Sequence, residues 1–303
     1  MKAILQKGKK MQVHITGKLK RRLKRWYVKR CVSDKRYLMS LYKERTGKTL
    51  NLQNPRAFTE KIQWLKLYWR HEILTRCADK YEVRKFVRER VGPELLKKLY
   101  GIYDRTEDVN IDHLPDAFVL KVNHGWNQNI FCKKKSEFDW NHASVLLKKY
   151  LKHQHYYSQR EWAYKNIVPR IMCEEYLTKD GERMYEYQFY CYNGIPRLVQ
   201  ILDNKARQQN MFDLDLNLLK VNSPLPPLSS FVVKPVEFEK MLEYASSLSR
   251  GFPFVRVDLL NANNRISFGE MTFYPNGGLH LYDPASFDLF LGSFLDLPVT
   301  EVP

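Results

Sequence analysis

Two acidic side chains and one arginine lie in a segment that has the pattern of a β-hairpin. Residues 254–259 alternate, so Arg256 and Asp258 share one face of a strand while the apolar side chains point to the other. An asparagine-rich stretch follows, and residues 265–270 then return as a second strand that carries Glu270. Pairing of the strands is expected to bring the carboxylates of Asp258 and Glu270 close together.

Two converging carboxylates beside an arginine suit a divalent metal ion bound to a polyphosphate. Mg²⁺ usually takes one or two protein carboxylates and leaves its other positions to phosphate oxygens and water. Arg256 would then hold a phosphate through two parallel hydrogen bonds. The same residues also allow a second interpretation, an edge hairpin whose acids face solvent or pair with the surplus Lys and Arg.

A single lysine, Lys121, interrupts a short apolar run at residues 118–122. The run is bounded by turn signals and predicts a buried strand. A buried ammonium group needs an anionic partner, so the sequence predicts an anion beside Lys121. The alternative is a lysine at the end of the strand whose ammonium group reaches solvent.

Several stretches between Asn54 and the C-terminus resemble the TupA-like ATP-grasp family, which takes its name from a teichuronopeptide biosynthesis protein. They are NPRAFTEKIQWLKLY, CADKYEVRKFV, FVLKVNHG, PRIMCEEYL, FYCYNG, GFPFVRVDL and GEMTFYPNGG. The resemblance implies an α+β, ATP-grasp-like fold in which the nucleotide is held between two α+β subdomains. It also implies ATP and Mg²⁺ as cofactors.

The resemblance further assigns roles to particular residues. Lys121 and Arg256 would bind the ATP phosphates and are the candidate catalytic residues, while Asp258, Glu270 and Thr272 would bind the metal ion. The other candidates for contacting the nucleotide are His124, Gly125 and Asn127 in a phosphate loop, and Glu174, Glu175, Tyr176 and Leu177 around adenine and ribose.

This chain departs from the family pattern at three places. Relatives are richer in Gly and Ser at 123–129, where this chain has one glycine, Gly125, followed by Trp126. Relatives often carry a lysine near Gln188. Many ATP-grasp enzymes have a metal-binding asparagine at the position of Thr272. Because this chain has a threonine there, Asn276 is an alternative ligand.

The resemblance implies an ATP- and Mg²⁺-dependent carboxylate–amine ligase that works through an acyl phosphate. Its expected substrates are a carboxylate-bearing glycan or sugar, such as a uronic acid of a cell-surface polysaccharide, and an amino acid or small amine. One alternative is a glycosyltransferase, although 208–211, which precede the Asp-x-Asp letters at 213–215, are predicted to form a loop. Another is a non-catalytic relative that binds nucleotide or glycan, which the departures favour.

Positive charge is concentrated at the N-terminus. Residues 1–50 contain 17 Lys and Arg residues and two acidic ones, so +15 of the net charge of +18 lies there. Residues 18–32 predict an amphipathic helix with an apolar stripe of leucine and aromatic side chains. Such a helix suits an anionic membrane surface. Packing of the stripe on the domain is the alternative, and nucleic acid is a less favoured partner.

The length of 303 residues allows one large or two ordinary domains. We expect a basic helical extension at 1–50, a small N-terminal subdomain at 51–115 and the nucleotide-binding and catalytic region at 116–303. Without a long apolar run or the apolar core of a signal peptide, the chain is predicted to be cytoplasmic, with a peripheral position on the inner face of the membrane through residues 18–32. The five cysteines are widely spaced, which predicts reduced thiols rather than disulfides or a zinc site.

Periodicity and turn residues locate the remaining elements. Helices are predicted at 58–67, 79–90, 139–153 and 236–248, and strands at 95–103, 118–122, 169–177, 185–192 and 197–202. Turns are predicted at 193–194 and 261–264, and residues 104–114 are predicted to form an acidic loop or helix.

Overall fold

The structure, a computed structural model, describes residues 31–178, 184–229, 234–262 and 264–299. The chain forms two compact units, 1–50 and 51–303. In the first unit, helix α1 (Asp34–Thr46) begins after Ser33, whose hydroxyl accepts a hydrogen bond from the backbone of Arg36, and ends at Gly47. Of the predicted helix at 18–32, residues 18–30 lie outside the described part of the chain.

Three helices open the second unit: α2 (Phe58–Tyr68), α3 (Glu72–Ala78) and α4 (Val83–Val91). The helix α3 was not predicted, and α4 is shorter than the predicted helix at 79–90. The reason is Asp79, whose carboxylate accepts hydrogen bonds from the backbone of Tyr81 and Glu82 and so holds a turn before α4.

The first sheet has four strands, β1 (Leu99–Tyr103), β2 (Phe118–Val122), β3 (Asn129–Cys132) and β4 (Ile171–Glu175), in the order β1-β4-β2-β3. All neighbours are antiparallel. The segment 104–114 contains two short 3₁₀ turns. Helices α5 (Trp140–Leu151) and α6 (Tyr156–Gln159) follow β3. In α5, Ala143 and Leu147 are buried, whereas Val145 is exposed.

The second sheet has five antiparallel strands: β5 (Met184–Tyr192), β6 (Ile195–Asp203), β7 (Gln208–Phe212), β8 (Phe254–Ala262) and β9 (Arg265–Thr272). Their order is β7-β6-β5-β8-β9. The turn between β5 and β6 is formed by Asn193 and Gly194, which both have positive φ, as predicted. Helix α7 (Phe238–Ser249) packs on one face through Phe238, which contacts Tyr187 and Phe189, and α8 (Ser286–Ser293) follows β9.

Two predictions about the second sheet were wrong. The stretch 208–211 is strand β7 rather than a loop, because its backbone pairs with β6. The turn after β8 is shorter than 261–264, since Asn261 and Ala262 pair with Ile266 and Arg265.

Hydrogen bonds join β9 to β4 in the first sheet and to the segment that precedes β1. The backbone of Phe268 in β9 donates to the carbonyl of Leu95 at 2.7 Å, and Arg265 binds the carboxylate of Glu175 in β4 with both terminal nitrogens. Within the described ranges, no helix is both long and apolar enough to cross a membrane. The five cysteines are free thiols, and all except Cys31 are buried.

Candidate nucleotide and metal site

A row of polar side chains crosses the second sheet on the face opposite α7. Asp258 in β8 lies directly opposite Glu270 in β9 on one side and Gln188 in β5 on the other, and Gln188 lies opposite Gln200 in β6. Directly paired residues in antiparallel strands point to the same face. The predicted convergence of Asp258 and Glu270 is therefore confirmed, and two amides continue the row.

Asp258 is fully buried and forms a two-pronged ion pair with Arg256. The Nε and Nη2 atoms of Arg256 donate to its two carboxylate oxygens at 2.7 and 2.6 Å. Burial raises the pKa of Asp258, and the charge of Arg256 opposes that shift. A guanidinium group does not release its proton in proteins, and both carboxyl oxygens of Asp258 accept from it, so the geometry is that of an ionised pair. The guanidinium group of Arg256, which was predicted to bind phosphate, is thus bound to the carboxylate of Asp258 in this structure.

Glu270 is held by a lysine that sequence analysis had not singled out. Lys80, in the turn before α4, donates to Oε2 of Glu270 at 2.7 Å, and the hydroxyl of Thr272 donates to Oε1 at 3.1 Å. Burial raises the pKa of Glu270, but the charges of Lys80 and Arg256 outweigh it and lower the pKa to about 2. The Glu270 side chain stays 27% exposed, so an ion can reach it.

A second ion cluster lies on the first sheet, where the predicted anion beside Lys121 is Glu174 of β4. The Nζ atom of Lys121 lies 2.5 Å from Oε2 of Glu174, whose other neighbours are Lys97 at 3.4 Å and Arg84 at 3.3 Å. Burial alone raises the pKa of Glu174, and these cations lower it to about 2. The carboxylate is therefore ionised and surrounded by three cations.

Lys121 is buried, and its ammonium group is poorly solvated. Burial lowers the pKa of Lys121 to about 8, against the opposite effect of Glu174, and the nearby charge of Lys80 lowers it further. Lys80, which also binds Glu270, is thus electrostatically coupled to both clusters. Together the clusters hold five cationic side chains and three carboxylates, an excess of two positive charges.

The predicted phosphate loop connects β2 to β3 and is anchored at its first two residues. The side chain of Asn123 bonds to Asp79, Val168 and Arg170, and Nε2 of His124 lies 3.0 Å from the carbonyl of His153. Both ring nitrogens of His124 have protein partners, so it anchors the loop.

The middle of this loop combines a tight turn with an exposed aromatic side chain. A Cβ atom on Gly125 would lie 1.9 Å from the side chain of Gln128, so no other residue fits there unless Gln128 moves. Asn127 adopts a left-handed conformation, and Trp126 is 60% exposed. Gly125 is buried, so the exposed part of the loop begins at Trp126 and Asn127.

Of the predicted adenine and ribose residues, Glu174 and Glu175 end strand β4, and Tyr176 and Leu177 follow it. The carboxylate of Glu175 is occupied by Arg265 and by the backbone of Lys98, whereas the ring of Tyr176 contacts that of Phe131 on β3. Leu177 lies just before residues 179–183, which are outside the described part of the chain.

Comparison with known proteins identifies the family. The sequence model of the TupA-like ATP-grasp family matches residues 60–296, which is more than half of the chain. The chain belongs to the TupA-like ATP-grasp family. No curated protein matches the sequence.

Solved ATP-grasp structures resemble this chain only distantly. D-alanine–D-alanine ligase from Bacillus anthracis, complexed with ATP, is 12% identical with a TM-score of 0.40 over 66% of this chain and 55% of that one. The corresponding ligase from Helicobacter pylori is 15% identical with a TM-score of 0.44 over 78% and 69%. The ATP-grasp ligase PsnB, complexed with its minimal precursor, is 10% identical with a TM-score of 0.39 over 77% and 67%. This chain thus spans about half the length of the first of these ligases.

The donor set around Asp258 and Glu270 fits a magnesium ion that accompanies ATP. Mg²⁺ prefers oxygen ligands and needs few carboxylates. Glu270 is the accessible carboxylate, and Asp258 would share its oxygens with Arg256, since each carboxylate oxygen can accept more than one partner. The surplus positive charge of the two clusters suits an anionic, metal-bound triphosphate.

Sequence analysis missed three cations of the site: Lys80, Arg84 and Lys97. Lys80 and Arg84 lie in the stretch CADKYEVRKFV, which carries the family resemblance, and that was the available signal. Because 208–211 form strand β7, the argument that a loop precedes the Asp-x-Asp letters at 213–215 no longer holds. However, Asp213 accepts hydrogen bonds from Asp215 and Asn217 and thereby stabilises a turn.

The charge of Glu270 gives a test of the site's electrostatics. A pKa lowered from 4.5 to about 2 in the folded state contributes stability that is present above pH 4.5 and is lost as the pH falls toward 2. We predict that Glu270→Gln lowers the free energy of unfolding at pH 7 by about 3 kcal/mol, and that this difference from wild type shrinks between pH 4.5 and 2.

Urea denaturation across this pH range measures the difference. The matched control is Glu239→Gln on α7, where the Glu239 side chain is 71% exposed beside Lys234, and its effect should be small at every pH. A Glu270→Gln difference that stays constant from pH 7 to 2 would contradict the account.

Proposed function

We propose that this protein is an ATP- and Mg²⁺-dependent carboxylate–amine ligase. The observation that carries the proposal is the pairing of Asp258 opposite Glu270, with Arg256 and Lys80 bound to these carboxylates. Lys121, which interacts electrostatically with Lys80, supplies a further cation from the first sheet. The two carboxylates can bind a metal ion and the cations around them can bind phosphate oxygens, so the cluster suits a metal-bound triphosphate better than carboxylates or cations alone would.

In this proposal the protein acts by positioning and by charge rather than through a nucleophile of its own. Lys121 is protonated at pH 7, because its pKa of about 8 lies above that pH, and it would hold a phosphate oxygen. Arg256 would do the same from the second sheet. Glu270 and Asp258 would hold the metal ion, which neutralises negative charge on phosphate oxygens when bound. Catalysis of phosphoryl transfer relies largely on such positioning and electrostatics.

The reaction would proceed in two steps. A carboxylate oxygen of the acceptor attacks the γ-phosphorus, the bond to the bridging oxygen breaks, and ADP leaves with that electron pair. The amine nitrogen of the second substrate then attacks the acyl carbon, phosphate leaves, and the amine releases a proton to water. The products are an amide, ADP and phosphate.

The acceptor we propose is a uronic acid of a cell-surface polysaccharide, and the amine is an amino acid or a small amine. Membership of the TupA-like family supports this choice, since the family is named after a teichuronopeptide biosynthesis protein. A uronic acid provides the carboxylate that the first step requires.

A second candidate is a nucleotide-binding relative without turnover. The observation that favours it is the ion pair of Asp258, whose two oxygens are both occupied by Arg256. A carboxylate held in this way has less negative charge to offer a metal ion. Trp126 in the phosphate loop also favours the candidate without turnover, because a bulky side chain restricts how closely the loop backbone can approach a ligand.

Phosphorus NMR on the purified protein separates the candidates. We expect ADP and phosphate to form from Mg-ATP only when glucuronic or galacturonic acid and a mixture of amino acids are both present. Glu270→Gln should lower the rate about a hundredfold or more, since removing one group that stabilises transition-state charge has effects of this size. The matched control Glu239→Gln should retain the wild-type rate.

Other results would identify the alternatives. Binding of Mg-ATP without consumption under any substrate pairing would favour the non-catalytic relative. Consumption of UDP-sugars in place of ATP would contradict the ligase and support glycosyl transfer.

The basic N-terminal segment supports a peripheral location on an anionic membrane surface. Residues 1–50 carry a net charge of +15. We expect the full chain to co-sediment with vesicles that contain anionic lipid, to be released by raised salt, and to ignore neutral vesicles. A chain that starts at residue 34 is the control. Equal binding of both chains would contradict a role for the basic segment.

A further inference from the structure

A cleft opens on the second unit and is lined mainly by uncharged polar residues. Its walls include Tyr190, Gln200, Gln209, Asn222, Asn276 and Tyr282. Among its described lining residues there is no Asp, Glu, Lys or Arg. We call this the amide cleft. The lack of formal charge is unusual in a chain with 51 basic and 33 acidic residues, and it limits what the cleft can bind.

A chain of hydrogen bonds orders the side chains along one wall of the amide cleft. The hydroxyl of Tyr190 donates to Gln200 at 3.2 Å, Gln200 donates to Gln209 at 2.6 Å, and Gln209 donates to Ser223 at 2.7 Å. These bonds fix the orientation of both amides. Each amide carries two N–H donors and an oxygen that accepts two bonds, so capacity for further hydrogen bonds remains.

The amide cleft continues the polar row that contains the two candidate metal ligands. Gln200 in the cleft is the neighbour of Gln188, which is the neighbour of Asp258. Two strand spacings separate Gln200 from Asp258, which is about 10 Å. The Oε1 atom of Gln188 is buried and has no hydrogen-bond partner in the described part of the chain. A buried acceptor without a partner marks a position where a ligand donor would be stabilised.

Two titratable residues that line the amide cleft, His280 and Tyr282, are uncharged at physiological pH. Burial lowers the pKa of His280, so its imidazole is uncharged at pH 7. Burial also keeps the pKa of Tyr282 well above its usual value, so its phenol stays protonated. The half-buried ring of Tyr282, 4.6 Å from that of His280, presents an aromatic surface.

Such a lining selects for a neutral ligand with many hydroxyl groups. A hydroxyl both donates and accepts, as the amides do, whereas an ammonium group or a carboxylate in the cleft would lack a counter-charge. We propose that the amide cleft binds the sugar ring of the acceptor through its hydroxyls, with the carboxylate directed along the polar row toward Arg256. This inference rests on the proposed ligase function for the orientation of the carboxylate, but not for the binding of the ring.

Saturation-transfer NMR without nucleotide tests the cleft on its own. The probes are methyl glycosides of common hexoses and of their uronic acids, and cyclohexanecarboxylate, a ring carboxylate without hydroxyl groups, is the charged, non-sugar comparison. We expect signals from a hexoside and from the matching uronide, and none from cyclohexanecarboxylate. Gln209→Met, which keeps the side-chain volume, should weaken sugar binding about tenfold or more, since it removes hydrogen bonds and leaves their partners unmet.

A second variant protects the test against a folding defect. Tyr282→Phe keeps the aromatic ring of the cleft and removes only its hydroxyl group, so it should fold as the wild type does, and it should also weaken sugar binding. The control is Gln53→Ala, an exposed amide outside the cleft. Equilibrium dialysis of Mg-ATP should give wild-type affinity for all three variants.

The outcomes of the two assays are distinct. Loss of sugar binding in both cleft variants, with Mg-ATP binding retained, supports the inference. Sugar binding that is unchanged in either cleft variant, or absent from the wild type, overturns it and leaves the ligase proposal standing if Mg-ATP still binds. Failure of Mg-ATP to bind the wild type would instead contradict the ligase proposal, and sugar binding would then still decide the role of the cleft.

Discussion

The pairing of buried charge is the constraint on which the arrangement of this protein depends. Asp258 and Glu174 are buried and Glu270 is partly buried, and an unpaired carboxylate in such surroundings would be costly. Arg256 and Lys80 are bound to two of these acids and, with Lys121, they come from three different parts of the chain. All of these charges are therefore compensated only when the two sheets and the turn before α4 are in place together.

The same compensation would let the protein keep the proposed polyphosphate site in the absence of the ligand. In the first sheet, the carboxylate of Glu174 stands where three cations converge, so it provides the negative charge that a phosphate would otherwise supply. In the second sheet, Arg256 and Lys80 offset the acids that a metal ion would otherwise neutralise. When a metal-bound triphosphate binds, ion pairs within the protein would be replaced by ion pairs with the ligand. Each charged side chain would keep a partner of opposite charge, which limits the free-energy cost of removing water from it.

The sequence was sufficient for the local parts of this site and insufficient for its long-range partners. Strict alternation and an asparagine-rich turn predicted that Asp258 would face Glu270, and burial of Lys121 predicted an anion. That the anion is Glu174 could not be predicted, because it depends on β2 pairing with β4 some fifty residues later. Strand β7 was missed for the same reason, since its polar sequence is extended only through its pairing with β6.

The central claim is that Asp258 and Glu270 hold the metal ion that accompanies ATP. Electron paramagnetic resonance of Mn²⁺, which substitutes for Mg²⁺, measures this directly as the fraction of ion that loses its free signal. The account predicts tight Mn²⁺ binding only when ATP is present, and binding at least tenfold weaker in Asp258→Asn, since a carboxylate ligand is removed. Mn²⁺ binding that is independent of ATP, or unchanged in that variant, would contradict it.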